Sequence, residues 1–288
     1  MRLTLGPLQY FWPRDQVFAF YRAAAAWPVD VFYLGETVCS KRRELRTRDW
    51  IELAVELAGD GHEIVLSTLA LLEAESELSS LLRLVEDGRF RVEANDMSAV
   101  QFLRERGLPF IGGPTLNVYN HAALRLLRED GLQRLVLGVE LGRALIEEFR
   151  GSGEPLPELE ITAWGRLPLA YSARCFTARA LDLAKDDCGF RCLEYPDGLP
   201  LATREGTPFL TINGVQVQSA GHCDLGPELD GLREAGIGLL RLYPQAGGMA
   251  EVVARFRDAI DSGIIPARAG EENGYWSGAA GMQCVTSM

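Results

Sequence analysis

The sequence predicts a (β/α)₈ barrel, the TIM-like α/β class, with a cysteine-bearing insertion after its seventh strand. Three observations predict it. Eight short runs rich in Val, Ile, Leu and Phe recur at intervals of roughly 20 to 40 residues, as expected of strands buried on both faces. Amphipathic helical patterns lie between them. One long stretch without regular period, about 166–208, breaks the alternation and holds three of the six cysteines. A doubly wound open sheet fits the same strand runs and stays open at this stage.

In chain order the predicted strands are Arg2–Leu8, Asp30–Leu34, Glu63–Ser67, Arg89–Ala94, Phe110–Gly112, Arg134–Val139, Glu158–Ala163 and Leu239–Tyr243. Asp49–Ala58 reads DWIELAVELA, which puts Trp50, Leu53, Ala54 and Leu57 on one helical face. The same period predicts helices at Glu75–Glu86, Ser98–Arg106, Ala122–Glu129 and Met249–Ile260. Structureless insertions of the length of 166–208 are usually functional, and this one fits a loop laid over the barrel mouth. A further β-like segment, Phe209–Gln218, follows it. The organisation expected is one barrel domain over 1–263 and an extended arm over 264–288, glycine-rich around Asn273-Gly274-Tyr275-Trp276.

Of the 288 residues, 47% are apolar and 24% charged, which is ordinary globular usage. The net charge of −11 argues against a nucleic-acid surface, because neutralising phosphates takes clustered Lys and Arg. The one basic run, Lys41-Arg42-Arg43 with Arg46 and Arg48, reads either as a solvated helix start or as a face for an anion or partner. No run approaches about eighteen uninterrupted apolar residues, so no membrane span is expected. The N-terminal stretch lacks a secretory pattern, which predicts a cytoplasmic, reducing environment where disulfides are poor candidates.

Cys175, Cys188 and Cys192 are spaced C-x₁₂-C-x₃-C inside the insertion. Cys39 follows the second strand, so in a barrel it emerges at the same mouth as the loop after strand seven. Thiolates are soft donors that select Zn, Cu(I) or iron–sulfur clusters. A structural zinc site usually shows two tight knuckles, and only Cys188-x₃-Cys192 fits one. Spacing alone therefore leaves an iron–sulfur cluster, zinc and uncoordinated thiols as open readings. Cys223 and Cys284 are spare; His222-Cys223 is an alternative ligand pair, and a buried free thiol is the plainer reading of Cys223.

Three stretches carry a resemblance. They are Tyr33-Leu34-Gly35-Glu36-Thr37-Val38-Cys39-Ser40-Lys41-Arg42-Arg43, Ile64-Val65-Leu66-Ser67-Thr68-Leu69-Ala70 and Leu167-Pro168-Leu169-Ala170-Tyr171-Ser172-Ala173-Arg174-Cys175-Phe176-Thr177-Ala178-Arg179. They closely resemble the UbiV family of ubiquinone-biosynthesis proteins, within the collagenase-like group historically filed among the U-type peptidases. The likeness runs from Leu5-Gly6-Pro7 to Gly274-Tyr275-Trp276. It implies a [4Fe–4S] cluster held by Cys39, Cys175, Cys188 and Cys192, and a heterodimer with a UbiU-like protein. It further implies a UbiT-like lipid carrier in the same pathway and oxygen-independent hydroxylation of a quinone precursor, with prephenate as the oxygen source. Gly189-Phe190-Arg191 departs from the more polar linker expected between the last two ligands.

Candidate substrate-contacting residues at the mouth are Glu36, Asn117, Glu140 and Arg174. Arg174 neighbours Cys175, where its cation could offset an anionic cluster. Glu36 and Glu140 read equally as ion-pair or capping groups, and Asn117 as a cap of the next helix. No general base can be named. His62 reads as a turn residue and His121 as a helix opener, and neither they nor His222 sit in a nucleophile or zinc-protease motif. The functions weighed are a hydroxylase subunit that transfers electrons, a cluster-bearing scaffold without chemistry, and a peptidase.

Overall fold

The computed structural model describes residues 1–264 and 272–285. Its strands are β1 (Arg2–Leu5), β2 (Val31–Leu34), β3 (Glu63–Ser67), β4 (Arg91–Ala94), β5 (Phe110–Gly112), β6 (Leu132–Val136) and β7 (Glu158–Gly165). An insertion adds β8 (Pro168–Tyr171), β9 (Leu199–Ala202), β10 (Pro208–Asn213), β11 (Gln216–Ser219) and β12 (Cys223–Asp224) before β13 (Leu239–Leu242). β1 to β7 and β13 form a closed ring of eight parallel strands. Closure is carried by Arg134↔Glu158 between β6 and β7, Leu239↔Glu160 between β13 and β7, and Thr4↔Arg241 between β1 and β13. A ring leaves no room for the open doubly wound sheet, and the TIM-like barrel expected from the strand runs is the fold.

The outer layer comprises α1 (Arg14–Ala24), α2 (Thr47–Gly59), α3 (Glu75–Asp87), α4 (Met97–Glu105), α5 (His121–Glu129) and α6 (Arg143–Gly151). A short α7 (Phe176–Ala180) belongs to the insertion, and α8 (Leu229–Glu234) and α9 (Met249–Ser262) flank β13. Local chemistry sets their ends. Asp96 caps α4 by accepting from the Ser98 N–H at 2.7 Å, and Asn120 caps α5 by accepting from the Ala123 N–H at 2.9 Å. The cap before α5 is thus Asn120, not Asn117. β2, VFYL, shows how a strand serves two layers. Phe32 and Leu34 join the core beneath the helices, while Val31 and Tyr33 join an inner cluster with Val65, Ile111, Val136 and Leu239.

The stretch expected to be irregular over 166–208 is partly regular. β8 and β9 fall inside it and pair with the hairpin β10–β11 to make an antiparallel sheet in the order β8-β11-β10-β9. Pro168–Tyr171 pairs with Gln216–Ser219, a partner too far along the chain for local periodicity to reveal. The tail is described over 272–285, where it packs back on the barrel. Trp276 is 6% exposed in the main core, and Glu272 bridges to Cys223. Residues 265–271 and 286–288 of the predicted arm lie outside the described residues. Among the described residues, no helix is long and apolar enough to cross a membrane.

Candidate metal centre at the barrel mouth

The loop after β2 begins at Gly35, whose φ of +148° and close approach to β3 admit no side chain. A Cβ there would stand 2.2 Å from the Ser67 carbonyl oxygen. The chain then turns so that Glu36 folds back on its own loop. One carboxylate oxygen accepts from the Val38 N–H at 2.8 Å and the Cys39 N–H at 3.0 Å. Glu36 thus fixes the backbone that presents Cys39, and burial pushes its carboxyl up against the pull of Arg42.

Arg42 is the pivot of the site. It is 3% exposed and donates to the Gln9 carbonyl at 2.6 Å and to the Asn213 side-chain oxygen at 2.6 Å. The Glu36 carboxylate stands 3.8 Å away, and the guanidinium lies 5.7 Å from the Phe11 ring centroid. Its Nε is buried without a hydrogen-bond partner. The basic run therefore divides: Arg43 is exposed, whereas Arg42 is an interior residue tying the β2 loop to the insertion.

The insertion brings Cys175 into electrostatic range of Cys39 and Cys192, and Cys188 into range of Lys41. Cys175 precedes α7 as its N-cap, accepting from the Ala178 N–H at 3.4 Å. The turn between β10 and β11 anchors that helix. The Gly214 carbonyl accepts from Phe176 N–H at 2.7 Å, and Gly214 N–H donates to the Thr177 hydroxyl at 2.9 Å. Between Cys188 and Cys192 the chain passes through two left-handed residues, Gly189 and Phe190, each at φ near +55°. Phe190, unexpected in a polar linker, sets its ring 6.2 Å from that of Phe11.

Electrostatics links Cys39 and Cys192 to Cys175, and Cys188 to Lys41. Burial pushes the Cys39 thiol up and Arg42 pulls it down, with Glu36 and Cys175 adding upward pressure. Burial likewise raises Cys192, opposed by the charge of Arg42 and a hydrogen bond from it, with Glu36 and Cys175 again raising. Lys41, which pairs with Asp186, feels both Cys188 and Cys39. All four thiols are partly buried, whereas Cys223 is buried in the core and Cys284 is exposed. His222 stacks on Trp164 at 5.1 Å. Among the described residues, no group of three or more His, Cys, Asp or Glu side chains is gathered tightly enough for one metal ion. A four-thiolate cubane makes a wider demand, since each cysteine takes a different iron.

The other predicted site residues separate. Glu36 belongs to the thiol mouth as a positioning group. Arg174 is exposed, and its backbone N–H donates to the Ser172 hydroxyl at 3.1 Å. Glu140 is exposed and accepts from the Tyr119 hydroxyl, whose pKa is pushed up to about 12 by burial and by that carboxylate. Asn117 is exposed in a left-handed conformation at the end of a 3₁₀ turn, Pro114–Leu116. Reading the sequence missed Arg42, Asn213 and Gly214; the only signal was the basic run itself.

It also missed a charged barrel interior. Arg241 is fully buried and donates from Nε to Glu160 at 2.8 Å, with Glu93 at 2.7 Å from its Nη1. The Glu93 contact is an ion pair without an aligned N–H, since neither atom has a hydrogen-bond partner. Glu160 also accepts from the Thr4 hydroxyl at 2.7 Å and the Tyr33 hydroxyl at 2.5 Å.

Residues 17–273 match Peptidase family U32. The chain belongs to that family. Among solved structures, it is similar to the U32 peptidase Mk0906, with 12% identity, a TM-score of 0.49, and coverage of 86% of this chain and 94% of that one. Dihydropteroate synthase from Thermus thermophilus, in complex with 6HMPPP, matches at 12% identity and a TM-score of 0.42, covering 90% and 94%. The spore cortex-lytic enzyme SleL of Bacillus megaterium QM B1551 matches at 11% identity and 0.42, covering 90% and 74%. At these levels of similarity nothing about activity transfers.

Proposed function

We propose that this U32-family chain is a UbiV-like [4Fe–4S] subunit for oxygen-independent hydroxylation of ubiquinone precursors, acting in a heterodimer with a UbiU-like partner. What supports the reading is the electrostatic coupling of Cys39, on the β2 loop, to Cys175 of the insertion, with buried Arg42 beside Cys39 and Cys192 and Lys41 facing Cys39 and Cys188. Thiolates are the soft donors an iron–sulfur cluster takes. When bound, a cluster would supply one-electron transfer.

The chain's own residues have definable tasks in that reading. Cys39, Cys175, Cys188 and Cys192 would each hold one iron. Glu36 holds the Cys39 loop through two backbone N–H groups. Arg42 sets a buried positive charge beside Cys39 and Cys192, favouring thiolate over thiol. Lys41, fixed by Asp186 and by the Lys185 carbonyl at 3.0 Å, adds a second cation. Four cysteine ligands leave no open iron site, so electron transfer or positioning of the partner suits this subunit better than Lewis-acid chemistry.

The test is anaerobic purification followed by iron and sulfide analysis and absorption in the sulfur-to-iron charge-transfer region. Iron and sulfide near four each per chain are expected, falling sharply in Cys39→Ser; zinc without iron would sink the reading. Adding a UbiU-like partner and assaying hydroxylated quinone precursors separates a working subunit from a scaffold. The family's name favours a second reading, proteolysis. Against it, Cys223, the thiol next to a histidine in sequence, packs in the core while His222 stacks on Trp164. Hydrolysis of casein or gelatin that survives loss of each cysteine in turn would restore the peptidase reading.

A further inference from the structure

An open groove of about 980 Å³ lies between α2 and α3. It runs from Gly35 and Ser67, at the C-terminal ends of β2 and β3, down to Asp87 and Arg89 at the foot of α3. Leu45, Trp50, Ile51, Leu72, Leu81 and Leu84 give it an apolar floor. Its rim is basic. Arg48 pairs with Glu52 and Arg89 with Asp87. Arg43, Arg46 and Arg83 are exposed and have no carboxylate in ion-pair range among the described residues. Arg83 donates instead to the Ser80 hydroxyl at 2.9 Å, and Arg43 makes only a long contact to the Ser40 carbonyl.

Three arginines left unneutralised around one apolar groove stand out in a chain of net charge −11. Nothing intrinsic to a solvated rim calls for an apolar trough of this size beneath it, and the volume is at the upper end of the range of small-molecule sites. Arg46 directly precedes α2, whose N-terminus is already met by Asp49 in its first turn, so the positive potential here comes from the arginine side chains. We propose that the α2–α3 groove binds an amphipathic carboxylate, with its head at Arg43 and Arg46 and its hydrocarbon or aromatic body along Trp50, Leu81 and Leu84. The upper end of the groove is lined by Glu36, Ser40 and Arg42, so the head would lie beside the Cys39 loop. The proposal stands whether or not the thiols carry a cluster.

The test is isothermal titration of the full chain with sodium laurate below its micelle concentration, set against dodecanol and inorganic phosphate. Expected are one saturable site for laurate, at least about tenfold weaker binding of dodecanol, and no saturable binding of phosphate alone. Arg43→Ala with Arg46→Ala, both at exposed positions, weakens laurate on the order of tenfold with the circular dichroism unchanged. Ser80→Trp obstructs the groove beside Leu81 and Leu84 and weakens binding on the order of tenfold or more. Chain prepared with iron and chain prepared without it should bind laurate with the same affinity, which separates failure of this proposal from failure of the cluster reading. Equal affinity for laurate and dodecanol, phosphate saturating the site by itself, or binding indifferent to Ser80→Trp would each overturn it.

Discussion

Arg241 and Arg42 are both out of reach of solvent, 0% and 3% exposed, but their surroundings differ in charge. Arg241 lies between two carboxylates, Glu93 and Glu160, that are themselves fully buried, and its guanidinium sits 4.1 Å from the Tyr33 ring centroid. Its charge is consumed by fixed partners inside the ring. Arg42 faces one carboxylate at 3.8 Å, two neutral acceptors at 2.6 Å, and the thiols of Cys39 and Cys192. Its one carboxylate, Glu36, is also disfavoured as an ion by burial. Under the proposed function, ligation would deprotonate the thiols and add negative charge beside Arg42. One buried arginine therefore belongs to the scaffold, and the proposed cluster would give the other its thiolate neighbours.

The sharpest way to break this comparison is to remove each arginine in turn. Arg241→Met leaves two buried carboxylates uncompensated and should cost about 3–5 kcal/mol, read from urea denaturation. Adding Glu93→Gln and Glu160→Gln to it should recover much of the loss, because the uncompensated charge is then gone. Arg42→Met leaves the Gln9 carbonyl and Asn213 less well satisfied and should cost less, about 1–3 kcal/mol. Its larger effect falls on metal content, with iron retained after anaerobic reconstitution dropping well below that of the unaltered chain. Arg42→Lys keeps the charge and loses the fork, so it should restore iron better than stability. Equal costs for the two Met variants, with iron untouched in both, would erase the distinction.

The two arginines also mark where the sequence was legible. The eight barrel strands could be read because each is short, rich in branched apolar residues and separated by a helical period. Arg134, Glu160 and Arg241 hide within those runs, since a single inward charge leaves a strand looking apolar while its partners come from other strands. At the mouth, Cys39 and the later trio were expected together because strand ends and following loops share one face of a barrel. Arg42 could not, because Lys41-Arg42-Arg43 has the look of a solvated run and only the docked insertion buries its middle residue. Glu140 and Asn117 were chosen by position alone; Glu140 accepts from the Tyr119 hydroxyl and Asn117 closes a 3₁₀ turn.

A smaller effect probes how the insertion holds Arg42. Gly214 sits at φ +65°, and a Cβ there would stand 2.9 Å from the Arg42 Nη2. Gly206, at φ +84° in the turn between β9 and β10, would meet nothing within 4 Å. Both Gly→Ala variants bear the left-handed strain of about 1–2 kcal/mol. Only Gly214→Ala should displace Arg42 as well, so it should be the less stable of the two and the only one that loses iron. Matched losses in the two variants would mean that Arg42 tolerates the displacement.

The smallest effect concerns the less buried end of the series, where a half-exposed arginine, Arg14, meets the largely buried carboxylate of Asp49. Burial raises the carboxyl of Asp49, but the Arg46 N–H, at 2.8 Å, and the Arg14 guanidinium, at 2.9 Å, more than offset it and leave its pKa lowered. A lowered folded-state pKa contributes stability that is present above the unfolded carboxyl value and is lost as pH falls through the folded one. Asp49→Asn should therefore cost about 0.5–1 kcal/mol at neutral pH, and the gap should close progressively below about pH 4. Arg14 is 44% exposed at its side chain, so added salt should narrow the gap as well. Salt should change the cost of Arg241→Met far less, because ions do not enter the barrel interior. Denaturation of both variants at low and high salt measures that contrast, and an equal response would place Arg241 in contact with solvent.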